Sequence, residues 1–437
     1  MAGSIELPSP NFNLCRLRYP SRMSKLAVND GEPLRTKPWP EWPEFDDREQ
    51  RNLTRALEGR NWGGFPSPNT IGGEFEEAFA SAHGARFGVT TTSGTAALEI
   101  ALRAAGLQRE DEVIVPALTF YATAFAALVQ GFKPVFVDID AETWCIDPAL
   151  IEAAVTPRTR AIIPVHLGSR MCDMDRIGVI ANKHRLTVIE DCAHAHGSQW
   201  NGRRAGTFGA AGCFSFQTSK LMTCGEGGII VSDDAEMEER CRAYMNSGRI
   251  RTKDRTEAEG TMLGWNYRMT EFQAAVLLAQ LERLPEQVAR RDTNVAHFER
   301  RIAEIEGVST LSRDPRQETR SGYGVVLRYD EEAWSGVPRD RFAWALYREG
   351  IKLYGAFYTP VYSAPLFAWR DAPIECDYSR VSCPVAERAA EKEMIWLPHE
   401  VFLGSREDID DICDAIAKLR EHASELAERK GSTGTPV

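Results

Sequence analysis

Three segments of the 437-residue chain set reactive side chains beside small residues that expose the backbone. In TTSGTAAL, Ser93, Gly94 and Thr95 fall where an apolar run gives way to a helical one. Glycine lets the backbone approach an anion closely, and a helix starting there offers unpaired N–H groups and the positive end of its dipole. The same residues would also serve as an ordinary helix cap. In VIEDCAHAHG, Asp191 ends another apolar run. A carboxylate at that point either caps a turn or bonds a heterocyclic nitrogen and keeps it protonated, each pKa unit of that preference being worth about 1.4 kcal/mol. In CFSFQTSKLMTCGEGG, Lys220 occupies a Ser/Thr-rich loop followed by Gly225, Gly227 and Gly228. A lone lysine is usually a solvated tail; one flanked by Ser219, Met222 and glycine turns fits that reading less well. No metal is expected. The ten cysteines are scattered without a CxxC pair, and the eight histidines show no HExxH spacing.

These segments need a scaffold that brings strand ends together. GVTTTS, EVIVPAL, KPVFVDID, TRAIIPVHL and LTVIEDC are short apolar or β-branched runs separated by helical stretches such as GTAALEIALRAAG. Such alternation predicts an α/β fold with a mostly parallel central sheet flanked by helices. Ligands of open sheets of this kind sit beyond the carboxyl ends of the strands. CFSFQ and GGIIVSDD read as two further strands bracketing the Lys220 loop. The long helical stretch beginning near Thr270 contains Pro285, which is expected to kink or divide it. That proline is the expected boundary between a large domain, residues 23–285, and a smaller C-terminal α/β domain, residues 286–429. Residues 1–22 read as a flexible extension, with Met23 an alternative start, and 430–437 as a loose tail. The charge-rich C-terminal helix reads as a solvated face.

Composition excludes whole classes of function. The formal charge of −11 is the wrong sign for a nucleic-acid binder, and 43% hydrophobic residues suffice for a sizeable core. No run approaches the roughly 18 to 20 apolar residues of a membrane helix, and the N-terminus lacks the apolar centre of a signal peptide. Scattered single cysteines fit reduced thiols in the cytoplasm.

Together the three segments resemble the DegT/DnrJ/EryC1/StrS family of pyridoxal-phosphate enzymes, a branch of the fold-type I aminotransferases. The resemblance runs from about Met23 to about Leu426 and includes DEVIVPALTFYATA, FKPVFVDID, DMD at 173–175 and GWNYRMTEFQAAVLLAQL. Within the family the wording is nearest to the scyllo-inosose aminotransferases and the 3-amino-5-hydroxybenzoate synthases, His194 being part of that likeness. The resemblance implies pyridoxal 5′-phosphate as cofactor and a role for each matching residue. Lys220 would form the Schiff base and shuttle a proton; Asp191 would bond the pyridine nitrogen; His194 would lie near the ring's 3-oxygen; Phe120 would stack on the ring. Gly94, Thr95 and Ser215 would meet the phosphate. Asn266 would reach the phosphate of a neighbouring subunit, giving a homodimer with a shared active site, although it could equally cap the helix near Thr270. Arg249 and Arg268 would anchor a carboxylate or pair with acidic neighbours; His166 and His196 read as structural.

The implied reaction moves an amino group from glutamine or glutamate to a ketone on a cyclitol, sugar or related ring in secondary-metabolite or amino-sugar biosynthesis. The alternatives are an aromatising aminodehydratase of the 3-amino-5-hydroxybenzoate synthase type and a non-catalytic cofactor-binding regulator. The chain departs from the family wording at HLGSRMCDMD, so Gly168, Ser169 and Met171 are expected to alter a loop near the substrate mouth. It also departs at SGYGVVLRYD, where an aromatic-rich opening is usual, and at LYGAFYTPVYSAPLF.

Overall fold

A computed structural model of the chain describes residues 25–64, 67–251, 257–259, 262–368 and 372–428. The expected N-terminal extension, the alternative start at Met23 and the tail at 430–437 lie outside the described residues. The central sheet has seven strands: β1 Phe87–Thr91, β2 Glu112–Pro116, β3 Lys133–Val137, β4 Thr159–Ile162, β5 Thr187–Asp191, β6 Ala211–Ser215 and β7 Gly228–Ser232. Their spatial order is β1-β7-β6-β5-β4-β2-β3. Only β7 runs against its neighbours. Every residue of β2, β6 and β7 is buried, as expected of strands covered on both faces.

This topology decides where the chemistry can be. β1, β5 and β6 run the same way, so Thr91, Asp191 and Ser215 all finish at one edge of the sheet. Because β7 returns antiparallel to β6, the loop between them, which carries Lys220, lies at that same edge. The longer helices include α1 Asp47–Gly59, α2 Thr70–His83, α3 Gly94–Ala104, α4 Glu271–Ile302 and α5 Arg406–Glu421. α3 begins where β1 ends: the Ser93 hydroxyl accepts from the Ala96 N–H at 3.1 Å, and seven of the eleven residues of α3 are buried.

A second, antiparallel sheet of three strands, β8 Val308–Thr310, β9 Val325–Tyr329 and β10 Met394–Leu397, packs with α5 and the C-terminal half of α4. Leu26 and Val28, near the start of the described chain, join this second core.

Two expectations fail here. Pro285 does not divide the long helix, since α4 runs unbroken through it. Proline inside a helix costs about 3 kcal/mol, and the surroundings of this one outweigh it. Arg283 grips Glu49 through two bonds of 2.6 Å, Gln280 bonds the same carboxylate at 2.8 Å, and Gln287 bonds Glu44 at 2.7 Å. Tertiary contacts thus hold both sides of the proline to the segment around α1. Nor is the C-terminal helix a simple solvated face. Asp408, Asp414 and Lys418 of α5 are buried, paired with Arg35, Arg301 and Glu349. No described helix is long and apolar enough to cross a membrane.

Candidate active site

At the carboxyl edge of the sheet lies a cavity of about 400 Å³. Gly94 and Thr95 line it from the start of α3, Asp191 from the end of β5, His194 three residues later, Ser215 from the end of β6, Lys220 from its loop, and Phe120 from the segment after β2. Asn266 does not line it. This side chain is exposed and its backbone bridges to Asn246. It does not cap α4 either, because Thr270 and Gln273 form the capping box there. Phe120 is 45% exposed, its ring 4.2 Å from that of Tyr121.

The turn before α3 is closed to side chains. A Cβ on Gly94 would come within 2.6 Å of Ser215 Cβ, and one on Gly228 within 2.4 Å of the Ser93 carbonyl oxygen. What remains is bare backbone at a helix N-terminus, ringed by the hydroxyls of Ser93, Thr95 and Ser215. That is the chemistry of an anion site.

Asp191 is buried. Its carboxylate accepts from the Thr123 hydroxyl at 2.8 Å and from the Ala193 N–H at 3.2 Å. Burial nonetheless raises its pKa, against the pull of those hydrogen bonds and of the Lys220 charge. A carboxylate in this state is stabilised by any cationic donor brought to it. His194 is also buried; its Nε2 lies 3.3 Å from the Tyr358 hydroxyl, and its Nδ1 has no hydrogen-bond partner. Burial, and next the charge of Lys220, push its pKa well below the usual imidazole value, so the ring is neutral. Lys220 Nζ lies 3.4 Å from the Tyr323 hydroxyl and 4.5 Å from the centroid of that ring. Tyr323 in turn stacks on His194, with ring centroids 4.1 Å apart.

Tyr323, Phe357, Tyr358 and Thr123 were not singled out from the sequence. Tyr323 belongs to SGYGVVLRYD, the segment read as lacking its aromatic opening; this single tyrosine just before β9 supplies a ring at the lysine. Phe357 and Tyr358 come from LYGAFYTPVYSAPLF and line the cavity. The expectation for residues 168–171 is corrected. They are buried and do not line the cavity, because side-chain hydrogen bonds tie them to the segment between β8 and β9. The Ser169 hydroxyl donates to the Tyr323 carbonyl at 2.9 Å, and Gln317 Nε2 donates to the Ser169 carbonyl at 2.6 Å.

Arg249 and Arg268 line a separate cavity of about 50 Å³ with Glu76 and Arg242. His166, fully buried, lies 3.1 Å from Glu190, and its Nδ1 accepts from the Cys172 N–H. His166, Glu190 and Cys192 are close enough to suggest a metal site. Glu190, however, already accepts from the N–H groups of Gly206, Phe208 and Gly209, and burial pushes the Cys192 thiol far up. The cluster thus has the bonding of a structural knot. His196 is packed against Phe214 and Phe216.

Pyridoxal phosphate requires an amine for its aldehyde, a water-shielded carboxylate for its ring nitrogen and a cradle for its phosphate. The buried Asp191 carboxylate, the His194 ring with its unpartnered nitrogen, the Lys220 amine and the cleared turn at Gly94 meet in one cavity, so the residues present fit the group.

Comparison with known proteins agrees. The model of the DegT/DnrJ/EryC1/StrS aminotransferase family matches residues 43–417. A protein of Streptoalloteichus tenebrarius, provisionally named L-glutamine:3-amino-2,3-dideoxy-scyllo-inosose aminotransferase, is 44% identical over 414 residues, spanning 92% of this chain and 99% of its own. The L-glutamine:scyllo-inosose aminotransferase of Streptomyces griseus is 39% identical over 423 residues, spanning 92% and 99%. Among solved structures, 3-amino-5-hydroxybenzoic acid synthase superposes with a TM-score of 0.79 at 35% identity, covering 87% of this chain and 99% of that one. The chain belongs to the DegT/DnrJ/EryC1/StrS family of pyridoxal-phosphate-dependent aminotransferases.

Proposed function

We propose that this aminotransferase takes its amino group from L-glutamine and delivers it to a ketone carbon of an uncharged polyol ring, a cyclitol. The observation that carries the reading is the convergence of Lys220, Asp191, His194 and the Gly94 turn on one cavity. When bound, the cofactor supplies an aldehyde to carry the amine and a ring that spreads the electrons released when a proton leaves the adjacent carbon. The chain's own residues do the rest. Lys220 holds the cofactor covalently and, once displaced, moves the proton. Asp191 keeps the ring nitrogen protonated, with Thr123 orienting the carboxylate. His194, held by Tyr358 and stacked on Tyr323, would meet the ring oxygen. Gly94, Thr95 and Ser215 would hold the phosphate, and Phe120 would cover the ring.

The acceptor class rests on two supports. Similar proteins are named as aminotransferases of inososes. Moreover, Lys220 is the one lysine or arginine among the described residues lining the cavity. A nucleotide-linked sugar would bring a diphosphate beyond the cofactor's own phosphate, and this chain supplies no further lysine or arginine for it among the described residues lining the cavity. The experiment is to add L-glutamine to the yellow holoprotein. Loss of the visible band, followed by its return on adding an inosose with formation of the amino product, supports the reading. An aromatic chromophore from an aminodehydroshikimate-type substrate would replace it with the alternative.

We further propose a homodimer in which Asn266 serves the partner's site. Beside Asn266, Leu263 and Trp265 are 88% and 62% exposed, an apolar surface typical of an interface. A cytoplasmic setting is also proposed. Its support is that all nine cysteines among the described residues are free thiols.

A further inference from the structure

The loop bearing Lys220 is gripped from outside at two successive carbonyls. Trp42 Nε1 donates to the Thr218 carbonyl at 2.9 Å, and the His399 ring lies 3.1 Å, through Nε2, from the Ser219 carbonyl. The Lys220 N–H itself donates to the Gln217 carbonyl at 2.8 Å. His399 therefore touches the peptide unit that leads directly into the lysine.

The partners of His399 fix its protonation. Arg291 Nη2 lies 3.2 Å from His399 Nδ1, and a guanidinium can only donate. Nδ1 is thus the acceptor, and the ring proton resides on Nε2, pointing at the Ser219 carbonyl. His399 is 3% exposed and Arg291 0%, so water does not compete for these bonds. Arg291 Nε and Nη1 have no hydrogen-bond partner. A buried cation left with two nitrogens, carrying three N–H groups, unpaired is costly to keep, so stability alone does not account for it.

The same pair also backs the other neighbour of the amine. Gly322 has φ +79°, and a Cβ there would come within 2.6 Å of Arg291 Cβ, so the arginine stem packs on the backbone leading into Tyr323. The Tyr323 ring is stacked on His399 at 5.8 Å between centroids, with its hydroxyl 3.4 Å from Lys220 Nζ. Trp42 closes the assembly, its ring meeting His399 edge-on at 4.7 Å.

We propose that His399, in the tautomer set by Arg291, is a positioning residue for Lys220, aiming the amine by holding the Ser219 carbonyl and backing Tyr323. The inference rests on the reading that Lys220 carries the cofactor.

The test compares His399→Phe, which keeps a ring but loses the donor, with His399→Gln, which loses the ring but keeps a donor near the Nε2 position. Each protein is mixed with pyridoxal phosphate, quenched with borohydride at intervals, and the mass added to Lys220 is followed by peptide mapping. kcat and KM for glutamine are measured separately, and thermal melting checks the fold. His399→Phe is expected to slow attachment and lower kcat about tenfold, the size of one hydrogen bond, with KM within about twofold of wild type. His399→Gln is expected to restore most of both. Equal rates in all three proteins, or equal impairment in both variants, would overturn the proposal. A protein that folds only with histidine at this position would also overturn it, because His399 would then be a structural residue. Wild-type protein with no added mass on Lys220 would instead overturn the cofactor reading itself, and that control is read first.

Discussion

Gly94 and Ser215 meet so closely that no side chain fits between them: a Cβ on Gly94 would stand 2.6 Å from Ser215 Cβ. Ser215 ends β6 and Gly94 opens α3 just beyond the end of β1, so neither can withdraw without shifting a strand or a helix. Gly94→Ala must therefore displace the Ser215 side chain or the start of α3, at a cost of about 1–3 kcal/mol. Since that turn is the proposed phosphate cradle, the loss should appear as cofactor affinity weakened about ten- to hundredfold, measured by titrating cofactor-free protein. Unchanged affinity would remove Gly94 from the cofactor site.

Asp191→Asn keeps the shape of the side chain and removes its charge. A hydrogen bond to a charged group is worth about 1.5–3 kcal/mol, so kcat should fall by about ten- to a hundredfold with the protein still folded. The pH dependence gives a second check. Burial raises the Asp191 pKa in the cofactor-free chain, so binding a protonated ring there releases a proton. Affinity for the cofactor should consequently rise with pH from the ordinary carboxylate value up to the raised one, and Asp191→Asn should lose that slope.

His83 is predicted to weaken the fold in acid. Its Nδ1 lies 3.0 Å from the Phe79 carbonyl and its Nε2 accepts from the Gly197 N–H at 3.3 Å, which fixes a neutral ring. Burial is the main cause that lowers its pKa from 6.5 to about 4. Between those values the unfolded chain binds the extra proton and the folded one does not, so stability is lost as pH falls through the window. The loss from this one group amounts to about 3 kcal/mol at most. His83→Gln, which does not titrate, should show a shallower decline of melting temperature from pH 6.5 to pH 4; an identical decline would exclude His83 as a cause.

The proposed shared active site makes a prediction about mixtures. Lys220→Ala and Asn266→Asp should each be inactive or nearly so as pure proteins. Unfolded together and refolded, they should regain about a quarter of wild-type activity, because half of the dimers are mixed and each mixed dimer has one intact site. Absence of any recovery would place Asn266 outside the partner's site.

The sheet was legible because its strands are short β-branched runs separated by helical ones, and Gly94, Asp191 and Lys220 were legible because each sits in a local pattern at a strand end. The site's other half was not. Thr123 reaches Asp191 from 68 residues away, Tyr323 reaches Lys220 across 103, and His399 reaches Ser219 across 180. Each is an unremarked residue in its own segment, and only the chain's return to the same sheet edge gives it a partner. Pro285 misled for the same reason. Its local rule is sound, but the ties from Arg283 and Gln287 to the α1 region come from far along the chain. Trp42 lay in a proline-rich stretch that reads as irregular, yet its indole nitrogen bonds the lysine loop.

The most direct measurement is borohydride reduction of the yellow holoprotein followed by peptide mapping. The added pyridoxyl mass should fall on the peptide containing Lys220, and Lys220→Ala should show neither that mass nor the visible band while still folding. Mass on a different lysine, or a Lys220→Ala protein that keeps its colour and turnover, would contradict the account.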